Sequence, residues 1–388
     1  LKDKVISYFR HFINMASKCL IKNEIRRKKI IVYYNNFLYY IHFLKNKSVN
    51  DVFDYKLILN NKYHKCSECY NGNFFYGNSC NLKNYASYRK SIKACIEHGV
   101  YFGNYVNEKE SSDSGLPAII TYSNNRKSHL RKVTNKPIFV IGPYIYYANS
   151  LYTNEEINKI KSKFGKTLLV FPSHSIDRVK AEFDIESFVK KIINFKDDKE
   201  FKTVLICLYW KDIELGRDKI YKDYGFTVVT AGYREDPDFL SRLKTFINIS
   251  DYTISNNVGT HIGYCIALDK PHTIIEQKTE YCGVTSRDFE AAINSSVIKS
   301  SLVEKNEVKN AFNIYNDFIT DEQRVICNKY WGLDKVKNNQ QLNFILNFCD
   351  DIYINSNKNE KEFYSSILKF KNDHKKIKNI EILNEAIL

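Results

Sequence analysis

The sequence predicts an α/β protein with parallel sheets in two domains, and three observations carry that expectation. Short β-rich apolar runs alternate with helical patterns along the chain, the signature of a sheet covered by helices on both faces. A length of 388 residues exceeds one ordinary core. A hydrophobic fraction of 44% and an aromatic fraction of 14% suffice to fill two cores, which excludes global disorder.

Taken in order, the chain begins with a basic segment. Of the net charge of +15, residues 1–50 carry 11 Lys/Arg against Asp3 and Glu24. A basic end on a nearly balanced body points to a local anionic partner, membrane or nucleic acid. Val5, Ile6, Phe9, Phe12, Ile13, Ala16 and Leu20 recur at helical spacing, flanked by Lys2, Lys4, Arg10, Lys18 and Lys22. That pattern fits a helix lying in an anionic membrane interface through residues 1–29, and equally a core-packing helix with a solvated face. The next apolar run, Ile30 to Leu44, is broken by Asn35-Asn36 and is too short to span a bilayer. The early apolar residues alternate with Lys and Arg, unlike a cleavable signal. Ten scattered Cys fit reduced thiols. The expected location is cytoplasmic, peripheral on the inner face of the cytoplasmic membrane.

Three strand patterns follow: Ala94-Cys95-Ile96, running into Glu97-His98-Gly99; Ala118 to Thr121, with a basic helical run from Arg126 to Lys132; and Pro137 to Ile141. Glu108 to Gly115 reads as an exposed loop, and residues 148–166, around a short helix, as a connection. The second half is more regular. Thr167 to Phe171, Thr203 to Leu208, Phe226 to Thr230, Tyr252-Thr253-Ile254 and Thr273-Ile274-Ile275 read as strands. Helical patterns separate them, including Ile185 to Phe195 and Phe239 to Ile249. From Glu304 the chain is helical and polar, with Tyr330-Trp331-Gly332 as its aromatic landmark. The expected division is a basic helical segment 1–49, domains 50–160 and 161–303, and a helical region 304–388.

Ligands on parallel sheets bind at the carboxyl ends of the strands. Three motifs fall there. Glu97-His98-Gly99 offers an imidazole as general base, with Glu97 to orient it or to act as the base itself. A tight turn with a locally bonded His is the plainer alternative. Pro172-Ser173-His174-Ser175 supplies hydrogen-bonding side chains for a phosphate oxygen or leaving group, or else caps a helix. Ser255-Asn256-Asn257-Val258-Gly259-Thr260-His261 passes from strand to helix through a small polar turn, the arrangement that holds a phosphate at a helix N-terminus. Tyr209, Trp210, Gly232, Tyr233, Arg234 and Glu276 also fall near strand ends, as candidates to stack on or clasp a nucleotide and its ribose.

In their order these motifs resemble a GT-B glycosyltransferase, closest in layout to bacterial sialyltransferase-like and capsule or lipopolysaccharide transferases. The resemblance implies two Rossmann-like domains facing a central cleft, an acceptor domain at 50–160 and a nucleotide-sugar domain at 161–303. Glu97-His98-Gly99 stands where the family's acidic-Gly motif supplies the base, with His98 in place of a carboxylate. Phe171 to Ser175 stands where the His-Pro motif would be, with Pro172 before His174 instead of after it. Ser255-Asn256 stands where the Ser-rich motif binds phosphate. The implied activity is inverting, metal-independent transfer of a sugar from a nucleotide donor to an oligosaccharide or lipid-linked glycan of the bacterial surface. His98 would act as base; His174, Ser173, Ser175, Ser255, Asn256, Asn257, Gly259, Thr260 and His261 would hold the phosphate. A CMP-linked acidic sugar of sialic acid or Kdo type is the first donor, a UDP- or GDP-sugar the second. No Asp-x-Asp is expected near a strand end to hold a metal-bound donor, since Asp350-Asp351 lies in the helical tail and Asp197-Asp198 in a charged loop.

Other classes remain in view. Cys66-x-x-Cys69 with Cys80, Cys95 and His64 has irregular spacing for zinc. A nucleic-acid-binding role would use the basic end with Tyr33, Tyr34, Phe37, Tyr39 and Tyr40, although no such motif is recognisable and no nucleic acid partner is expected. A non-catalytic scaffold of glycan assembly would keep the fold and lose the base.

Overall fold

The alternation of apolar runs and polar turns becomes a set of sheets in the computed structural model, which describes residues 15, 19–22, 24–47, 49, 51–61, 63, 68–106, 115–176, 179–283, 295–355 and 380–387. Strands β1 (Ala94–Ile96), β2 (Ala118–Thr121) and β3 (Ile138–Val140) form a parallel sheet in that spatial order. The chain continues through β4 (Thr167–Phe171), β5 (Val179–Glu182), β6 (Thr203–Cys207), β7 (Thr227–Val229), β8 (Tyr252–Ser255), β9 (His272–Ile274) and β10 (Glu280–Gly283). Five of these make a parallel sheet in the order β7-β6-β4-β8-β9, while β5 and β10 pair antiparallel beside it. Building outward from β4 to β6 and β7, then reversing to β8 and β9, is the doubly wound, Rossmann-type order.

Side-chain alternation explains why helices cover both faces of the larger sheet. Leu169 and Phe171 of β4 enter one apolar cluster, whereas Leu168 and Val170 enter another. The second cluster packs against Phe188, Val189 and Ile192 of a helix over Ile185–Asp198. The first runs without a break from Ala94, Ile96, Ile120 and Phe139 of the smaller sheet to Leu169, Leu205 and Val229 of the larger. The sheets lie between residues 94 and 140 and between 167 and 274, and this shared cluster joins them.

Several helices position the site. They are labelled α1 (Glu24–Phe43), α2 (Asn124–Leu130), α3 (Asn154–Phe164), α4 (Ile185–Asp198), α5 (Phe239–Ile249), α6 (Thr260–Ala267), α7 (Ser295–Phe312) and α8 (Asp321–Trp331). Thr153 and Glu156 form a capping box that starts α3, the short helix expected in the connection. Thr320 and Gln323 do the same for α8, which ends on Gly332 in the left-handed conformation. The aromatic landmark of the tail is core: Trp331 is fully buried, and its ring covers Gly263 of α6 so closely that a Cβ there would lie 2.1 Å away.

The structure departs from expectation in places. The basic helical run begins earlier, at Asn124, because Ser123 caps it through the Arg126 N–H at 3.2 Å. The last strand starts at His272 rather than Thr273. The β5–β10 pair was not expected: β5 reads Val-Lys-Ala-Glu, an alternation of only four residues with no continuous apolar run. Val5 to Ile13, Ala16, His64 and Cys66 lie outside the described residues, and with them most of the amphipathic pattern of residues 1–20 and two of the five zinc candidates. No described helix is long and apolar enough to cross a membrane.

Candidate functional site

Where strand order reverses, the loops after β4 and β8 leave the sheet in opposite directions and open a crevice at the strands' carboxyl ends. A cavity of about 360 Å³ occupies that place, within the range of small-molecule sites. Phe171, Pro172, Ser173 and His174 line it from the end of β4, Leu208 and Tyr209 from the end of β6, and the run Asn256 to His261 from the end of β8. His98, Gly99, Val100 and Tyr101, which follow β1 of the smaller sheet, close the facing wall.

Hydrogen bonds tie these loops together. Asn256 is wholly buried, and its Oδ1 accepts from both the Ser173 N–H at 2.7 Å and the Ser173 hydroxyl at 2.9 Å. One side chain thus holds the two strand ends at the switch point in register. Across the cavity the Val100 N–H donates to Thr260 Oγ1 at 3.3 Å, linking the His98 loop to the first residue of α6. Trp331 Nε1 donates to the Thr260 carbonyl at 3.0 Å and fixes the helix start from behind. Helix α6 begins at Gly259 without a side-chain cap, and Gly259, Thr260 and His261 line the cavity. Its first backbone N–H groups are therefore the natural donors for an anion.

Of the residues singled out in sequence, the structure brings His98, Ser173, His174, Tyr209, Asn256, Asn257, Gly259, Thr260 and His261 to this cavity. Eight others do not line it: Trp210 and Tyr233 pack ring on ring at 5.0 Å, with the Tyr233 hydroxyl donating to the Leu59 carbonyl at 3.2 Å, and each of the remaining six has another task. Glu97 is buried in an ion pair with Arg126, with contacts of 2.6 to 3.0 Å, and it also accepts from Thr121 Oγ1 at 2.6 Å, so its carboxylate is committed to these two partners behind the cavity wall. Ser175 is fully buried and accepts from the Ala181 N–H and from Arg217. Ser255 is fully buried as well; its hydroxyl donates to the Asn257 carbonyl at 2.8 Å and meets His272 Nε2 at 3.0 Å. Ser255 therefore shapes the phosphate-type turn instead of facing into it. Gly232 takes a left-handed φ of +99°, and a Cβ there would crowd Asp236 and Arg242. Arg234 pairs with Glu235 at 2.8 Å and lies over the Phe75 ring. Glu276 is exposed and paired with Lys309.

The electrostatic character of the wall is unusual for a phosphate site. Among the described residues, no lining side chain is Lys, Arg, Asp or Glu. Burial pushes the His261 imidazole down to about 3, with His174 adding to the shift, so His261 is neutral at pH 7. Its ring stacks on Phe171 at 4.8 Å, and its buried Nε2 meets no hydrogen-bond partner among the described residues. His174 opens toward the cavity, yet the protein packed around it lowers its pKa, with the Asp212 carboxylate acting in the opposite sense. Asp212 is buried behind it, accepting from the Ser175 N–H at 3.0 Å and from Arg217 at 2.9 Å, which holds the Ser173–Ser175 turn in place. Cys207 is raised by burial to about 12, which keeps its thiol protonated and unreactive.

Several lining residues escaped sequence reasoning. Tyr76 adopts the left-handed region (φ 59°), a strained conformation for a Tyr, and its N–H donates to the Arg234 carbonyl at 2.6 Å. Its ring meets Phe239 at 4.9 Å and His98 at 6.3 Å. The Asn-Gly-rich stretch around it, Asn71 to Gly77, was the available signal. Tyr281 of β10 lines the cavity beside Ser173 and Asn257 and came with no signal. Against the expectation that no Asp-x-Asp lies near a strand end, Asp236-Pro237-Asp238 follows β7, but its first carboxylate is buried against Arg242 at 2.8 Å, away from the wall. Among the described residues no cluster of three or more His, Cys, Asp or Glu is placed to hold a metal ion.

No family model and no curated protein matches the chain. Among solved structures it is similar to the S. aureus MnaA-UDP co-structure, at 12% identity and a TM-score of 0.35, over 70% of this chain and 71% of that one. What the coordinates themselves establish is an α/β protein with two parallel sheets and a half-open cavity at the larger sheet's switch point.

Proposed function

We propose that this protein is a glycosyltransferase that takes its sugar from a nucleotide donor bound in the switch-point cavity. The observation that carries the reading is the uncapped start of α6, at Gly259 to His261, opening into a cavity whose other wall carries His98. The donor phosphate sits at that helix start, held by backbone N–H groups and the Thr260 hydroxyl, with His174 and Ser173 beside it. An acceptor hydroxyl gives its proton to His98. The acceptor oxygen then bonds to the anomeric carbon while the bond from that carbon to the phosphate oxygen breaks, and the nucleotide leaves with the electron pair. Attack from the face opposite the leaving phosphate inverts the anomeric centre. The N–H groups stabilise the charge that develops on the departing phosphate, without reorganisation at the moment of reaction.

A CMP-linked sugar remains the first donor class, since one helix N-terminus and a wall free of Lys and Arg among the described residues suit one bridging phosphate better than two. UDP- and GDP-sugars are the alternative. The acceptor is a surface glycan on this reading. Thermal-shift titrations with CMP, UDP and GDP test it: near a hundredfold excess over Kd, one site stabilises by about 2.7 kcal/mol. Stabilisation by one nucleotide names the donor class, and no stabilisation by any of them rejects the proposal.

A further inference from the structure

Helix α1 presents an apolar stripe to solvent that the cavity does not explain. Ile30, Tyr33, Phe37, Tyr40 and Leu44 recur at spacings of three and four residues, the period of one helix face, and all are between 45% and 73% exposed. The opposite side of the helix meets the protein body, with Asn35 buried and the Tyr39 ring 5.8 Å from Phe74. Charge is arranged around this stripe in a particular way. No residue from Ile30 to Leu44 is Lys, Arg, Asp or Glu, whereas Arg26, Arg27, Lys28 and Lys29 precede it and Lys45 and Lys47 follow it. From Ile25 to Asn50 there is no acidic residue at all.

We propose that α1 lies on an anionic lipid surface along its Ile30–Leu44 face. Aliphatic and aromatic side chains enter the boundary between headgroups and acyl chains, Tyr33 and Tyr40 keep their hydroxyls at headgroup level, and the cations at both ends meet lipid phosphates. Two copies of this helix pairing through the stripe would bring only like charges together at the ends, which disfavours self-association. Single-stranded nucleic acid needs cations along the tracked face, where this helix has none, and gains little from Ile30 and Leu44. The inference is independent of the reaction proposed for the cavity.

The test is co-sedimentation of the full chain with vesicles of phosphatidylcholine alone and of phosphatidylcholine mixed with phosphatidylglycerol. Binding is expected on the anionic vesicles, weakened by added salt. The double variant Phe37→Glu, Tyr40→Glu should lose at least about tenfold in partitioning with an unchanged melting temperature, because both side chains are exposed. Lys45→Gln with Lys47→Gln should lose roughly twenty-fivefold, at about fivefold per cation. Equal binding of the aromatic variant and the parent would overturn the proposal, as would equal binding to both vesicle types. So would a parent dimer that the aromatic variant converts to monomer without change in vesicle binding. Retention of a single-stranded oligonucleotide in place of vesicles would overturn it in favour of a nucleic acid partner.

Discussion

Asn256 is where the fold and the proposed chemistry depend on one side chain, so two substitutions there separate them. Asn256→Ala removes the acceptor for both the Ser173 N–H and the Ser173 hydroxyl, in a position with no solvent to replace it. A lost hydrogen bond is worth about 1 kcal/mol net, and a buried donor left unpaired costs about 1–3 kcal/mol. The expected loss is therefore roughly 2–4 kcal/mol of unfolding free energy, read by urea denaturation. Asn256→Asp keeps an acceptor oxygen for the Ser173 N–H and hydroxyl at the same place. It adds a negative charge beside the proposed phosphate position, however. Two unit charges about 6 Å apart at an effective dielectric near 20 repel by about 3 kcal/mol, or roughly a hundredfold in affinity. The assay is calorimetric nucleotide titration of the folded variants. An Asp variant that binds nucleotide as well as the parent would refute the placement of the phosphate. An Ala variant as stable as the parent would refute the bridging role.

Other predictions follow from the same contacts. Gly263→Ala drives a methyl group into the Trp331 ring, 2.1 Å away, and should cost at least about 2–3 kcal/mol by thermal or chemical denaturation; an unchanged melting temperature would contradict the packing. Glu97→Ala strands Arg126 in a buried site and should destabilise by about 3–5 kcal/mol, while the fraction that folds keeps its turnover; selective loss of turnover with intact stability would return Glu97 to the reaction. His261 has a folded pKa of about 3 against an unfolded value near 6.5, so the unfolded chain binds the extra proton in that window. The stability it contributes is complete above pH 6.5 and falls as pH drops toward 3, by about 2 kcal/mol at pH 5. Gln at position 261 should flatten that part of the pH profile, and superimposable profiles for parent and variant would contradict the burial. His98→Ala should abolish sugar transfer with little change in nucleotide affinity; retained turnover would remove His98 as base.

Much of this architecture was legible in the residues, for identifiable reasons. Strands such as Thr167–Phe171 and Thr203–Cys207 are continuous apolar runs because helices cover both faces, and their polar ends mark where ligand-bearing loops begin. The strand order was not legible, because periodicity carries no information about which strand lies beside which. That order is what turns the loops after β4 and β8 into a cavity. At the site, sequence position identified loops but could not say which side of a turn faces the ligand. Ser255 and Asn256 are neighbours in one turn, yet Ser255 points back to His272 while Asn256 bridges to Ser173. The Glu97–Arg126 pair spans 29 residues and Trp331 reaches Gly263 from 68 residues away, distances over which local pattern is silent. Tyr76 arrived through a left-handed turn held by tertiary contacts, the Arg234 carbonyl on its N–H and Phe239 against its ring.

The central claim is that the start of α6 holds a nucleotide's phosphate. Its most direct test is calorimetric titration of the intact protein with matched pairs: CMP and cytidine, UDP and uridine, GDP and guanosine. The account predicts that one nucleotide binds at least about thirtyfold more tightly than its own nucleoside, since charge-assisted hydrogen bonds to a phosphate contribute roughly 2 kcal/mol or more. A nucleoside that binds as tightly as its nucleotide, or no binding by any of the six, would contradict it.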